Sequence, residues 1–161
     1  MKLKMLAVNL IYNIMKLVKY LNFPVIPEHL RNLAINEISK GPDPRTVRPS
    51  ENYKWTIVKD NELEQWLITN ISSDLFWGLQ VIIGDLPVHV DNPTTVKICY
   101  LFDCGGDNVI TEFHRDNQVI DSINIDQDRW HILNVMVEHS VRGVESDKTR
   151  ISLTGRIFEK L

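Results

Sequence analysis

Cysteine is nearly absent. Only Cys99 and Cys104 occur among 161 residues, which excludes a disulfide-stapled framework, and their spacing matches no zinc site. A reducing compartment follows, so a cytoplasmic protein is expected. Charge of one sign is also lacking: 18 Lys and Arg stand against 21 Asp and Glu, scattered through the chain. That is no footprint for a nucleic acid, and none is expected as a partner. Long apolar runs are missing too. The N-terminal stretch begins with Lys2 and Lys4, is interrupted by Asn9, Tyr12 and Asn13, and is followed by Lys16 and Lys19 without a small-x-small cleavage site. It reads as neither signal peptide nor bilayer span, and no membrane partner is expected. There is no internal repeat. The even spacing of Trp55, Trp66 and Trp77 has no matching neighbours, and these side chains with Trp130 read as core or rim packing.

What is present is two hydrophobic periods. Leu3, Leu6, Ala7, Leu10, Ile14, Leu17, Val18 and Leu21 recur at three- and four-residue steps, predicting an amphipathic helix that could also pair two copies of the chain. Pro27 and Glu28 open a second helix with the stripe Leu30, Leu33, Ala34 and Ile38, which Gly41, Pro42 and Pro44 end. A strand over 53–58 and a short helix over 61–71 follow. From residue 76 the period becomes two: strands are predicted over 76–83, 95–102, 109–113, 118–125, 130–137 and 149–158, with Arg115-Asp116-Asn117 as a hairpin turn. Helices followed by many short strands predict a mainly β fold, a cupin-like double-sheet jelly roll with the N-terminal helices packed on one sheet. The chain reads as one domain, 1–161, with a support region at 1–74 and the jelly-roll core at 75–158.

The chemistry gathers at Leu86-Pro87-Val88-His89-Val90-Asp91. In an extended segment His89 and Asp91 project to one side. With a further histidine they complete a two-histidine, one-carboxylate set, which leaves coordination positions open and suits non-haem Fe(II). His139, expected to end the 130–137 strand, is the third candidate. His114 is set aside as lying in an exposed turn, and His131 as roughly 26 Å away along a straight strand. Arg150-Ile151-Ser152 places a guanidinium fork and a hydroxyl on one strand face, suited to a carboxylate. Arg156 reads as exposed near the strand end, and Arg142 and Glu145 as loop solvation. Lys97, Cys99 or Tyr100 could add a contact, but Pro93 breaks the parity and the inward row is undefined.

In that order, His89-Val90-Asp91, His139 and Arg150-Ile151-Ser152, with WHILNVMVEHSV at 130–141 and TRISLTGRI at 149–157, the chain resembles the 2-oxoglutarate- and Fe(II)-dependent dioxygenases over about residues 75–158. The resemblance implies a double-stranded β-helix, with Fe(II) held by His89, Asp91 and His139. 2-Oxoglutarate would chelate the iron, its far carboxylate on Arg150 helped by Ser152. Dioxygen and an unidentified organic substrate, a protein side chain or a small molecule, would be the other reactants. Hydroxylation, with release of succinate and carbon dioxide, is the implied outcome. Two alternatives stand beside it: a non-catalytic jelly-roll binding module, and a cupin-type metalloenzyme that does not use 2-oxoglutarate.

Overall fold

The structure is a computed structural model that describes residues 17–39, 52–91 and 96–156. In chain order its elements are β1 (Val18–Tyr20), α1 (Glu28–Ser39), β2 (Tyr53–Ile57), α2 (Asn61–Asn70), β3 (Phe76–Ile82), β4 (Leu86–His89), β5 (Val96–Asp103), β6 (Ile110–Arg115), β7 (Gln118–Ile123), β8 (Trp130–Asn134), β9 (Glu138–Arg142) and β10 (Arg150–Arg156). The strands form two antiparallel sheets, ordered β1-β8-β5-β10-β3-β2 and β4-β9-β6-β7. Strands β3 to β10 thus divide four and four between facing sheets, the jelly-roll arrangement. β1 and β2 widen the larger sheet at its two edges.

Alternation explains how one sheet serves two surfaces. On β5, Ile98, Tyr100 and Phe102 join Trp77, Leu79, Trp130, Ile132 and Leu153 in one apolar cluster with Ile26 before α1, Leu30 and Ala34 on α1, and Leu63 and Leu67 on α2. Trp130, Tyr100 and Phe102 are almost wholly buried there, each removing one of the largest apolar areas available to a side chain. The intervening residues Lys97, Cys99 and Leu101 turn the other way and line a cavity between the sheets. Asp60 caps α2, its carboxylate accepting from the Glu62 and Leu63 amides at 3.0 Å.

The helix expected through Leu21 does not hold over its described end. Val18–Tyr20 is a strand paired with Leu133, Ile132 and His131 of β8, where a β-branched and an aromatic residue complete a sheet edge that a helix would leave open. The rest of that expected helix, and the pairing of copies assigned to it, lie outside the described residues. The strand expected over 130–137 is broken. β8 ends at Asn134, whose Oδ1 accepts the Met136 amide at 3.2 Å, and after a turn the chain enters the opposite sheet as β9. The Arg115-Asp116-Asn117 hairpin is present, with positive φ at Asp116 (52°) and Asn117 (63°), as a two-residue turn between right-twisted strands requires. Among the described residues no helix is long and apolar enough to cross a membrane.

Candidate metal centre

His89 lies at the end of β4 and His139 near the start of β9, and the register makes them direct cross-strand partners. Their rings are 4.3 Å apart, centroid to centroid. Asp91 follows β4, fixed by its amide, which donates to the Val135 carbonyl at 3.1 Å. The broken strand therefore does two things: it delivers His139 to the strand beside His89, and its turn clamps Asp91. One ligand atom from each of His89, Asp91 and His139 lies within 4.8 Å of the others.

The ring contacts decide which nitrogens face the centre. His89 Nδ1 is 2.7 Å from the Pro87 carbonyl and His139 Nδ1 is 2.9 Å from the Val137 carbonyl. A carbonyl only accepts, so each Nδ1 carries the hydrogen and each Nε2 keeps its lone pair. That outer hydrogen bond is what a metal-ligating histidine ordinarily makes. Burial, then the neighbouring His89, pushes the His139 pKa down to about 4, leaving a neutral imidazole at neutral pH. Asp91 is pulled two ways: burial raises its pKa, but the Lys97 ammonium, with His139 and His89, outweighs this and holds it below the usual carboxylate value. Its Oδ1 faces His89 Nε2 at 3.8 Å, while Oδ2 is in contact with Lys97 Nζ. Two imidazole nitrogens and a carboxylate oxygen, each braced from behind, fit a divalent transition-metal ion.

The cavity beside this cluster is lined from both sheets, by Ile82, Leu86, Thr111, Leu133 and Val141 among others. Arg150 points into it from β10 and is 6% exposed. Among the described residues its guanidinium donates one hydrogen bond, from Nη2 to Thr111 Oγ1 at 3.3 Å, and no carboxylate pairs with it. Burial lowers its pKa accordingly. Ser152 lines the same cavity, while Ile151 and Leu153 face the helices. Four of the five residues expected at the site, His89, His139, Arg150 and Ser152, line one space, and Asp91 reaches it only through its place beside His89 and His139. The cavity encloses about 40 Å³, room for a few waters rather than a dicarboxylate. A larger ligand must displace part of the wall.

Among the cavity residues, the sequence marks Lys97 only as one of three possible contacts, sets His131 aside and leaves Thr111 unmarked. Lys97, 3% exposed, sits on the row that the broken parity left undefined. The large residues Ile98, Tyr100 and Phe102 carried the missing signal, because they must face the helices. His131 lines the same cavity as His139. The separation expected for them fails because the strand turns at 135–137. Burial drives the His131 pKa down to about 4. Thr111 pairs with Arg150, and nothing in the sequence marks it. His114 is on β6, not in the turn. It is 8% exposed and 2.9 Å from Ser140 Oγ, outside the metal cluster.

No protein-family model and no curated protein matches the sequence. Solved structures do match the fold. A crystal structure of an oxidoreductase of the 2OG-Fe(II) oxygenase family from Burkholderia pseudomallei aligns over 93% of this chain and 88% of its own, with TM-score 0.55 and 11% identity. A prolyl hydroxylase from Trichoplax adhaerens, in complex with a hypoxia inducible factor oxygen degradation domain peptide fragment, aligns over 99% of this chain and 90% of its own, with TM-score 0.61 and 14% identity. The likeness is one of fold, the jelly roll. Oxalate decarboxylase from Bacillus subtilis is more distant, with TM-score 0.44 and 15% identity over 67% of this chain and 26% of its own.

Proposed function

We propose that the protein is a 2-oxoglutarate- and Fe(II)-dependent oxygenase acting on an organic substrate. The observation that carries this reading is Arg150: a buried guanidinium with no carboxylate partner among the described residues, facing the cavity beside the histidine–aspartate cluster. A buried charge left unpaired costs several kcal/mol. A dicarboxylate with one end on the metal and the other on Arg150 removes that cost.

The chain's own residues supply the rest. His89 and His139 Nε2 and Asp91 Oδ1 would hold the ion, oriented by the Pro87 and Val137 carbonyls and the Val135–Asp91 bond. Lys97 keeps Asp91 Oδ2 occupied, so the carboxylate presents one oxygen inward. Arg150, with Thr111 and Ser152 beside it, would receive the far carboxylate as charge-assisted hydrogen bonds. Ile82, Leu86, Leu133 and Val141 keep water from the space between. Bound Fe(II) would supply the oxygen chemistry, decarboxylating 2-oxoglutarate to succinate while a substrate carbon is oxidised.

The test is an anaerobic titration of Fe(II) and 2-oxoglutarate into the purified protein. A visible metal-to-ligand charge-transfer band is expected, and Asp91→Ala should remove it. A folded protein without the band sinks the proposal. The contact between Lys97 and Asp91 favours one second reading, a module that binds a dicarboxylate without metal. Binding of 2-oxoglutarate with unchanged affinity after chelation would select it.

A further inference from the structure

We infer that His131 is a second receptor for the far carboxylate of the co-substrate, donating from Nε2 beside the Arg150 guanidinium. The inference rests on the oxygenase reading and deepens it. It gives a role to a buried imidazole that neither belongs to the metal cluster nor packs in the apolar core.

His131 occupies the cavity face of β8, because its neighbours Trp130 and Ile132 face the helices. It is 3% exposed. Its strand partners are Cys99 on β5 and Tyr20 on β1, and the Tyr20 ring meets it edge-on, 6.3 Å between centroids. Nδ1 reaches back to the Arg129 carbonyl at 3.3 Å. That contact draws the imidazole along the sheet, towards the place where Leu101 accepts the Asp128 amide and pairs with Ser152. This is the Arg150 end of the cavity. The charges agree with the geometry. Arg150 and Asp126 act on His131, whereas His89, Asp91 and Lys97 act on His139.

The hydrogen of a neutral imidazole sits on one of two nitrogens. Burial keeps His131 neutral at neutral pH. A carbonyl only accepts, so in the empty cavity the hydrogen is on Nδ1, and Nε2 keeps a lone pair with no partner among the described residues. The same contact holds His89 Nδ1 at 2.7 Å and His139 Nδ1 at 2.9 Å. Those are good hydrogen bonds, while 3.3 Å at His131 lies just beyond the usual range. The two ligand histidines are locked with Nε2 bare for a metal. His131 is not locked.

A carboxylate on Arg150 reverses the balance at His131. A bare Nε2 repels a carboxylate oxygen, and an Nε2–H donates to it. Moving the hydrogen gives up a long contact to a neutral carbonyl and gains a bond to a charged acceptor, which is the stronger kind. It also adds no second buried cation beside Arg150, as an imidazolium would. The cavity encloses only about 40 Å³, so a carboxylate seated on Arg150 meets the other polar groups at that end.

The experiment uses the full-length protein, 15N-labelled at histidine and loaded with Zn(II). It is titrated with 2-oxoglutarate and, separately, with 2-oxopentanoate, which keeps the keto acid and lacks the far carboxylate. Without ligand, long-range 1H–15N spectra should show His131 with Nδ1 protonated and Nε2 bare. Saturating 2-oxoglutarate should move Nε2 into the protonated range, and 2-oxopentanoate should not. His131→Phe fills the space without a donor. It should raise the Kd for 2-oxoglutarate roughly tenfold to a hundredfold and change that for 2-oxopentanoate less than about twofold. His131→Gln should recover part of the loss through its amide N–H. An Nε2 that stays bare under saturating 2-oxoglutarate overturns the inference, whether or not the variants fold. So does an equal loss of affinity for both keto acids in His131→Phe, the mark of a packing role. If 2-oxoglutarate does not bind the wild type, the oxygenase reading fails and takes this inference with it. If it binds and Nε2 stays bare, the inference alone fails.

Discussion

Replacing Arg150 by methionine should make the ligand-free protein more stable while destroying its affinity for 2-oxoglutarate. The residue is 6% exposed, its side chain's one hydrogen bond among the described residues is to Thr111, and burial lowers its pKa. At neutral pH it nevertheless stays charged, so the folded state carries an uncompensated desolvation cost. Methionine fills similar space without charge. Setting that relief against the lost Thr111 bond, worth about 1 kcal/mol, leaves a net gain of about 1–3 kcal/mol. In a domain of this size that is a rise in Tm of roughly 2–10 °C. The ligand side has the opposite sign. Losing a buried charge-assisted partner costs about 2–5 kcal/mol, a rise in Kd of roughly 30-fold to several thousand-fold.

Chemical denaturation with and without 2-oxoglutarate reads both effects. Ligand at a hundred times its wild-type Kd should stabilise the wild type by about 2.7 kcal/mol and Arg150→Met by less than about 1 kcal/mol. If Arg150→Met is less stable than wild type by more than about 1 kcal/mol, yet still responds to 2-oxoglutarate, Arg150 is a structural arginine and the reasoning is wrong.

Asp91→Ala should abolish metal binding and cost about 2–4 kcal/mol of stability by stranding buried Lys97, the loss moderated by the partial exposure of Asp91. Asp91→Ala with Lys97→Met should regain most of that stability and none of the metal, measured by denaturation and by metal content after dialysis. His131 has a folded pKa of about 4 against an ordinary 6.5, so the unfolded chain binds the extra proton first. Its contribution is present above pH 6.5 and is lost as pH falls towards 4, and His131→Gln should shrink the acid-induced loss by roughly 2–3 kcal/mol. An unchanged stability difference between pH 7.5 and 4.5 would count against it. Gly78→Ala forces a Cβ into the Trp55 ring and should cost about 1–3 kcal/mol. Arg156, whose guanidinium lies over that ring, should report the displacement as a broadened Nε–H resonance.

Much of the fold was legible because the sheet that carries the helices has strict alternation. On β10, Ile151 and Leu153 face the helices while Arg150 and Ser152 line the cavity, as the period of two requires. The stripe of α1 was equally local. Legibility failed where pairing, rather than pattern, decides. Leu17 to Leu21 keeps a helical spacing of apolar residues, yet β8 offers an open edge, and Val18–Tyr20 pairs with it. A single sequence does not show that edge, since it exists only after β5 and β8 have paired. The parity of β5 was lost at Pro93 but could have been restored from its aromatic residues.

The decisive failure lies at 135–137, and it bears on the site itself. WHILNVMV reads as one apolar strand because Val135 and Val137 continue the run. A continuous strand would keep His139 in the larger sheet, away from β4. The turn instead moves the chain between sheets, and only then do His89 and His139 become register partners. Asn134 supplies the local reason, accepting the Met136 amide where a strand interior would use a backbone carbonyl. Val135 supplies the tertiary one, since its carbonyl is spent on Asp91. The residue that ends the strand and the residue that fixes the carboxylate are neighbours, so the interruption of the fold and the assembly of the metal cluster are one event. Loosening the turn should therefore cost metal affinity before it costs stability. Asn134→Ala tests this: metal affinity should fall about tenfold, as outer-shell losses do, while stability falls by about 1 kcal/mol. Unchanged metal affinity in a folded Asn134→Ala protein would separate the turn from the site.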